Sequence, residues 1–180
     1  AGNATTALAS MLQCRIDMAV PEVKLIEVDE LAENLGGKER VMTAIFLEVE
    51  GDITGDIIFL LEQGSAGFLV SKLMGMEVDS SNFSEMEFSC IKEISNIIAG
   101  SYLNSLSTLT KLKIYPSVPH MQMDKVDTLL HAPMSGTKDN EQILFIQTEF
   151  TNDSQLGGYF VMIPDVESYG KILGALGIAI

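Results

Sequence analysis

Glu93 and Asn96 place a carboxylate and a carboxamide one helical turn apart, within a stretch that runs from Ser84 to Pro119. Such a pair can accept a salt bridge and offer a neutral hydrogen-bonding group to whatever docks there. Gly100 follows one turn later, where glycine costs about 1 kcal/mol relative to alanine and leaves a helix surface open to close approach. A docking face is one interpretation. An ordinary solvated helix face is the other, because Glu-x-x-Asn is a common pattern.

The element that must position these residues is a helix that begins at Ser84. Ser84 and Glu87 form a capping box, in which each side chain satisfies a backbone N–H that the helix leaves unpaired. At about 100° per residue the apolar positions fall on one side of the helix. That side comprises Ile91, Ile94, Ile98, Tyr102, Ser105, Leu106 and Leu109, and the opposite side comprises Ser89, Glu93, Asn96, Gly100 and Ser107. The sequence therefore predicts a helix with an apolar back and a polar front.

Composition limits the classes of partner. The chain has 180 residues, 47% of them hydrophobic, and a formal net charge of −14. Nucleic acid and anionic membrane surfaces each require a basic face, so neither is expected as a partner. Cys14 and Cys90 have no metal-ligand spacing, and His120 and His131 are isolated from them. With no run of eighteen apolar residues and no visible signal peptide, we expect a reduced cytoplasmic protein without a metal centre.

An internal repeat appears when the N-terminus is laid on this stretch at an offset of 98 residues. Eight of 29 aligned positions are identical without a gap, including Pro21 with Pro119 and Asp29 with Asp127. The correspondence resumes where residues 55–61 match residues 157–163. This long period predicts two fused halves within one domain, 1–78 and 84–180, rather than a solenoid.

Each half reads as a helix, two strands, a hairpin and a closing helix. In the first half we predict strands at Cys14–Val20 and Val23–Val28, a polar connection at Asp29–Arg40, a hairpin of Val41–Val49 and Asp56–Leu61, and a helix at Ser65–Met74 that stops at Gly75. In the second half, strands begin at Ile114, Ile143–Phe150 and Gly158–Ile163 form the hairpin, and Val166–Leu176 is the closing helix. The predicted fold is α+β and pseudo-two-fold symmetric, with two antiparallel sheets that carry helices on their outer faces.

The spacing Ser89, Glu93, Asn96 and Pro119 resembles a family signature, Asp or Ser-x3-Glu-x2-Asn-x22-Pro, of the CheC/CheX/FliY phosphatases of bacterial chemotaxis. The likeness covers essentially the whole chain and is greatest to the duplicated CheC branch. The repeat alignment places the first half's Glu and Asn upstream of Ala1, so Pro21 is expected to be the remnant of a first signature in an N-terminally incomplete half.

The resemblance implies hydrolysis of the aspartyl phosphate on the response regulator CheY. In that role Asn96 would hold water in line with phosphorus without adding negative charge, and Glu93 would accept a salt bridge from a lysine of the regulator. Ser89 would either hydrogen-bond near the partner or merely solvate the helix, and Pro119 would shape the strand beyond it. Gly100 would permit backbone approach, with helix packing as the alternative. No cofactor of its own is implied, because the regulator carries the magnesium ion.

Two further expectations concern partners. The resemblance implies binding to the receptor deamidase CheD, although no residue identifies that surface, and the duplication predicts a monomer. The competing hypothesis is a non-catalytic module, either an adaptor of the flagellar switch or a regulator of CheD. Intact Glu93 and Asn96 favour the enzyme.

Overall fold

Within the described residues, one antiparallel sheet of eight strands organises the fold. The structure, a computed structural model, describes residues 6, 9–10, 17–18, 22–80, 82–131, 142–151 and 156–175. The strands are β1 Asp17–Met18, β2 Glu22–Glu27, β3 Val41–Gly51, β4 Gly55–Glu62, β5 Ile114–Pro116, β6 His120–Lys125, β7 Gln142–Thr151 and β8 Gly157–Pro164. The helices are α1 Val28–Asn34, α2 Gln63–Met74, α3 Glu85–Thr110, α4 Val126–His131 and α5 Val166–Ala175. The α+β class and the antiparallel pairing are confirmed.

The two predicted sheets are instead one. The hairpin β3–β4 joins the hairpin β7–β8 through pairing of β4 with β8, from Gly55 opposite Pro164 to Leu61 opposite Gly158. Each short strand pair then crosses to the other half, because β1 and β2 pair with β7 while β5 and β6 pair with β3. Local hydrophobic patterns do not encode this exchange, since β2 and β7 lie far apart in the sequence.

The order of elements recurs between the halves. In each half two short strands, a short helix, a long hairpin and a closing helix follow one another. The two hairpins meet at the β4–β8 ladder, so the strand pairing on one side of this ladder repeats the pairing on the other side. Near its middle, Ile58 lies opposite Val161 and Phe59 lies opposite Phe160. This arrangement agrees with the internal repeat, while the division into 1–78 and 84–180 stays a prediction.

Helices cover both faces of the sheet. Helices α2, α3 and α5 pack against one face, where the core includes Leu47, Phe59 and Phe160. The shorter helices α1 and α4 contact each other and cover the other face, where the core includes Ala44, Leu60 and Val161. Alternation along the strands supplies both cores, because successive side chains point to opposite faces. Among the described residues, no helix combines the length and apolar character that a membrane span requires.

Helix α1 corrects the predicted polar connection between Asp29 and Arg40. Leu31, Ala32 and Leu35 are buried there, and Gly36 and Gly37 follow with φ of 99° and 101°, values that favour glycine. Seven residues are too few for a helix that is stable alone, so its burial against α4 stabilises it. In the second half, Leu130 and His131 end the corresponding helix α4. Residues 132–141 lie outside the described part of the chain.

Asp56 is the carboxylate that the fold perturbs most clearly. It lies half-buried on β4 opposite Glu48 of β3. Burial, followed by the charges of Asp165 and Glu48, raises the pKa of Asp56 from 3.8 to about 6. The folded state therefore holds this proton more tightly than the unfolded chain does. The contribution of protonated Asp56 to the free energy of unfolding is fully present below about pH 4 and is lost as the pH rises through about 6.

Asp56→Asn should therefore increase the free energy of unfolding at pH 7. We expect about 1–2 kcal/mol, because each unit of pKa is worth about 1.4 kcal/mol and solvent screens part of the effect. The gain should fade between about pH 6 and pH 4, as urea unfolding across this range would measure. The exposed Glu30→Gln on α1 is the control. A gain that is the same at pH 4 and pH 7 would contradict the assigned ionisation.

Candidate functional site

Helix α3 fixes the direction of the candidate side chains. The predicted capping box is present, with Ser84 N–H donating to Glu87 Oε2 at 2.6 Å and Glu87 N–H donating to Ser84 Oγ at 3.4 Å. Tyr102 packs on Phe160 of β8 with ring centroids 4.1 Å apart. Because these contacts and the buried isoleucines hold one side of α3 on the sheet, the rotation of the helix about its axis is set.

The predicted apolar back is largely confirmed, although Ser105 is only half-buried and Leu109 is exposed. Ile91, Ile94, Ile98, Tyr102 and Leu106 are buried. Leu109, however, is 71% exposed, because it lies in the last turn of α3, one residue before the helix ends at Thr110. Ser95, Ala99 and Leu103 are also buried, which widens the packed side, and Ser95 satisfies its hydroxyl by donating to the carbonyl of Ile91.

Glu93 and Asn96 lie on the side of α3 that faces away from the core. Glu93 is exposed and Asn96 is half-buried. Residues three apart on a helix are surface neighbours, with Cβ atoms about 5–6 Å from each other. A solvent-facing carboxylate therefore stands next to a partly enclosed carboxamide. The first can meet a partner's charge, and the second can hold a small molecule against the protein.

Asn96 borders an open groove of about 960 Å³ that Pro119 also lines. The two signature residues, separated by twenty-two positions, are thus brought to one site. Pro119 is buried and lies in the three-residue segment that connects β5 to β6. Pairing with β3 is interrupted along this segment. Its predicted structural role fits this place, because proline has no N–H to donate to a sheet ladder.

The groove is lined by carboxylates. Glu48, Glu50 and Asp56 contribute to its wall, and no lysine or arginine does so among the residues that line it in the described part of the chain. A bare phosphoryl anion would be repelled by such a wall. A phosphoryl group that enters this groove is therefore better accommodated when it carries neutralising cations of its own.

The remaining residues of the predicted site have weaker geometric support. Ser89 is exposed, and its hydroxyl donates to the carbonyl of Glu85 at 2.9 Å, which leaves only its lone pairs for a partner. At Gly100 a Cβ atom would meet nothing within 4 Å outside its own helix, so packing does not require glycine there. Pro21 lies outside the described residues.

Sequence reasoning missed the wall and rim of the groove. Ser117 and Val118 border it between Pro116 and Pro119. Two prolines that bracket a dipeptide are a visible signal of an interrupted strand. Glu48 and Asp56 carried no comparable signal, because their convergence depends on the register of β3 with β4.

A second side-chain cluster, at the contact between α1 and α4, was also missed. Asp29, Asp127 and His131 place potential metal-ligand atoms within 4.8 Å of one another. The Lys38 ammonium, however, lies 2.6 Å from Asp29, and this hydrogen bond holds the pKa of Asp29 below its ordinary value. His131 Nδ1 contacts the carbonyl oxygen of Asp127 at 2.7 Å. Protein groups therefore already satisfy much of this cluster. The repeat that aligns Asp29 with Asp127 was the signal that could have located it.

Comparison with known proteins identifies relatives over the whole chain. A profile of the CheC-like family matches residues 1–25 and 86–121, and the second segment includes Glu93, Asn96 and Pro119. The chain is 34% identical over 184 residues to a protein of Bacillus subtilis (strain 168) named CheY-P phosphatase CheC. That alignment covers 98% of this chain and 88% of the relative.

Two solved structures have the same fold. FliY of Thermotoga maritima matches with a TM-score of 0.76 at 20% identity, covering 98% of this chain and 89% of that one. CheX of Borrelia burgdorferi, solved in a complex described as CheX-CheY-BeF3-Mg+2, matches with a TM-score of 0.58 at 19% identity, covering 90% and 92%. Together with the 34% identity along nearly the entire chain, these findings show that the chain belongs to the CheC-like family.

Proposed function

We propose that this chain is a hydrolase that removes the phosphoryl group from the phosphorylated aspartate of the response regulator CheY. The observation that carries the proposal is the half-buried Asn96 at the border of the groove, with the exposed Glu93 one turn earlier on the same rigid helix. The 34%-identical relative named CheY-P phosphatase CheC supports the substrate. The cytoplasmic location that the sequence predicts is part of the same proposal.

Asn96 would position the attacking water. Its carboxamide oxygen can accept a hydrogen bond from water and direct the oxygen lone pair at phosphorus. The new bond joins the water oxygen to phosphorus as the bond to the aspartyl oxygen breaks, and the products are inorganic phosphate and a free carboxylate. A neutral carboxamide suits this place because the groove already carries the charges of Glu48 and Glu50.

The partner would supply the neutralising cations. Among the described residues, none that lines the groove is a lysine or arginine, so the magnesium ion and a lysine of the regulator would stabilise the charge on the phosphoryl oxygens. Glu93 would accept a salt bridge from a lysine on the regulator and so hold its phosphorylated face against Asn96. An exposed carboxylate is better suited to this anchoring role than to taking a proton from water.

Two expectations from the sequence extend this proposal without a residue to support them. Binding to CheD is expected from the resemblance to the CheC-like family, and a monomeric state is expected from the internal duplication. Each stays a prediction. The non-catalytic alternative, an adaptor of the flagellar switch or a regulator of CheD, predicts binding of a partner without hydrolysis. Measuring the decay of phosphorylated CheY separates the two.

Asn96→Ala should remove most of the acceleration of CheY-P decay. Loss of a positioned polar group in an active site costs about 3–4 kcal/mol, or roughly 100- to 1000-fold in rate. The measurement is the first-order decay of phosphorylated CheY with saturating chain, by phosphate release. Asn104→Ala is the matched control, since Asn104 is exposed on the same helix two turns further along. Equal activity of the two variants, with both folded, would remove Asn96 from the mechanism.

Glu93→Gln should weaken binding of phosphorylated CheY more than it slows the hydrolysis step. We expect KM to rise by roughly 10- to 100-fold, because a charge-assisted hydrogen bond at an interface is worth about 1.5–3 kcal/mol, while kcat falls much less. The variant should also reduce the salt dependence of kcat/KM, since one charge pair is removed. Glu33→Gln, exposed on α1, is the control. A large fall in kcat with KM unchanged would instead assign Glu93 to the chemical step.

A further inference from the structure

The strand edge beside Asn96 contains a β-bulge. Strand β5 pairs with β3 up to Pro116 opposite Val49, and β6 resumes with His120 opposite Phe46. Three residues, 117–119, therefore lie opposite only Leu47 and Glu48 of β3. One extra residue must leave the ladder. Bulges of this kind redirect a side chain and are frequent beside functional sites.

Ser117 fixes the point where the chain leaves the sheet. Its N–H donates to the carbonyl of Glu48 at 2.9 Å, and its hydroxyl oxygen accepts from the N–H of Glu48 at 2.8 Å. The side chain thus replaces the main-chain acceptor that a regular ladder would supply. Both backbone groups of Glu48 are satisfied, so the next residue is free to turn outward.

Val118 is held rigidly at the outermost point of the bulge. Pro119, which follows it, is buried, and Pro116 lies two residues before it. A residue before proline is restricted to extended conformations, and each proline fixes its own φ. Val118 is nevertheless 87% exposed, more than any other large hydrophobic side chain in the described residues. A β-branched side chain on a restricted backbone has little conformational entropy to lose when it is covered.

The bulge places this apolar side chain at the groove that Asn96 borders. Val118 lines the same groove as Asn96 and the buried Pro119. A protein whose phosphorylated residue enters this groove to reach Asn96 would also meet the surface that Val118 forms. Single exposed hydrophobic residues are common on protein surfaces and need no function. What distinguishes Val118 is the combination of the bulge, the Ser117 hydrogen bonds and the shared groove.

We propose that Val118 is a contact residue for the phosphorylated regulator, covered by an apolar surface of the receiver domain beside its phosphorylated aspartate. This inference rests on the proposed function for the identity of the partner. The contact exists equally in the ground state and the transition state, because Val118 has no group that responds to charge at phosphorus. It therefore contributes to association and leaves the chemical step unchanged.

Val166 provides a matched control for this contact. It is the same residue type, it is 70% exposed at the start of α5, and it does not line the groove. The informative comparison is between Val118→Glu and Val166→Glu. The conservative variant Val118→Ile, which keeps an apolar side chain at the same position, is measured alongside them. Both glutamates replace exposed side chains, so both variants should fold, which circular dichroism and thermal unfolding would check.

Steady-state kinetics with phosphorylated CheY should separate the variants. Val118→Glu should raise KM about tenfold with kcat within about twofold of wild type, while Val166→Glu and Val118→Ile stay near wild type. The same order should appear in the affinity for CheY that carries beryllofluoride and magnesium in place of the phosphoryl group. Equal KM and affinity for the two glutamate variants would overturn the inference.

The two measurements also separate this inference from the proposed function. If the wild-type chain binds activated CheY but does not accelerate decay of its phosphate, the phosphatase proposal fails. Selective loss of binding in Val118→Glu would then still establish the contact. If the wild-type chain does not bind activated CheY, the contact is overturned together with the proposed partner.

Discussion

The packing of helix α3 across the central strands is the constraint on which the site depends. Tyr102 against Phe160, with Ile91, Ile94 and Ile98 in the same core, holds one side of the helix on the sheet. The other side is thereby turned away from the core, with Glu93 exposed and Asn96 half-buried. Glu93 and Asn96 owe their direction to this burial, because both lie on the side of the helix that faces away from the core. A reaction that requires only an aligned water needs rigidity of this kind more than it needs reactive groups.

The edge of the sheet, at the segment between β5 and β6, supplies the second part of the site. The bulge at 117–119 brings the buried Pro119 and the exposed Val118 to the groove that Asn96 borders, although this segment lies beyond the end of α3. Carboxylates from β3 and β4 also contribute to the wall of this groove. The site is therefore made from two parts, a neutral hydrogen-bonding group on helix α3 and a negatively charged surface on β3 and β4. That combination favours a partner that carries its phosphoryl group together with cations.

Local signals in the sequence predicted the parts of this structure that depend on neighbouring residues. The Ser84 capping box, the stop at Gly75 with φ of 67° and both long hairpins agree with the structure. Features that depend on distant partners were missed. Helix α1 forms because α4 covers Leu31, and the one continuous sheet depends on β4 meeting β8. The signature spacing located Asn96 and Pro119 at one groove, whereas the convergence of Glu48 and Asp56 followed only from strand register.

The central claim is that a neutral carboxamide at position 96 positions water. Asn96→Asp tests it most directly, because aspartate has nearly the same shape but adds a charge and lacks the amide donor. The measurement is the single-turnover decay of phosphorylated CheY with saturating variant between about pH 6 and pH 8. The account predicts that most of the acceleration is lost throughout this range, because the added charge repels the phosphoryl group. Activity that equals or exceeds that of the wild type would contradict the account and indicate general-base catalysis by the carboxylate.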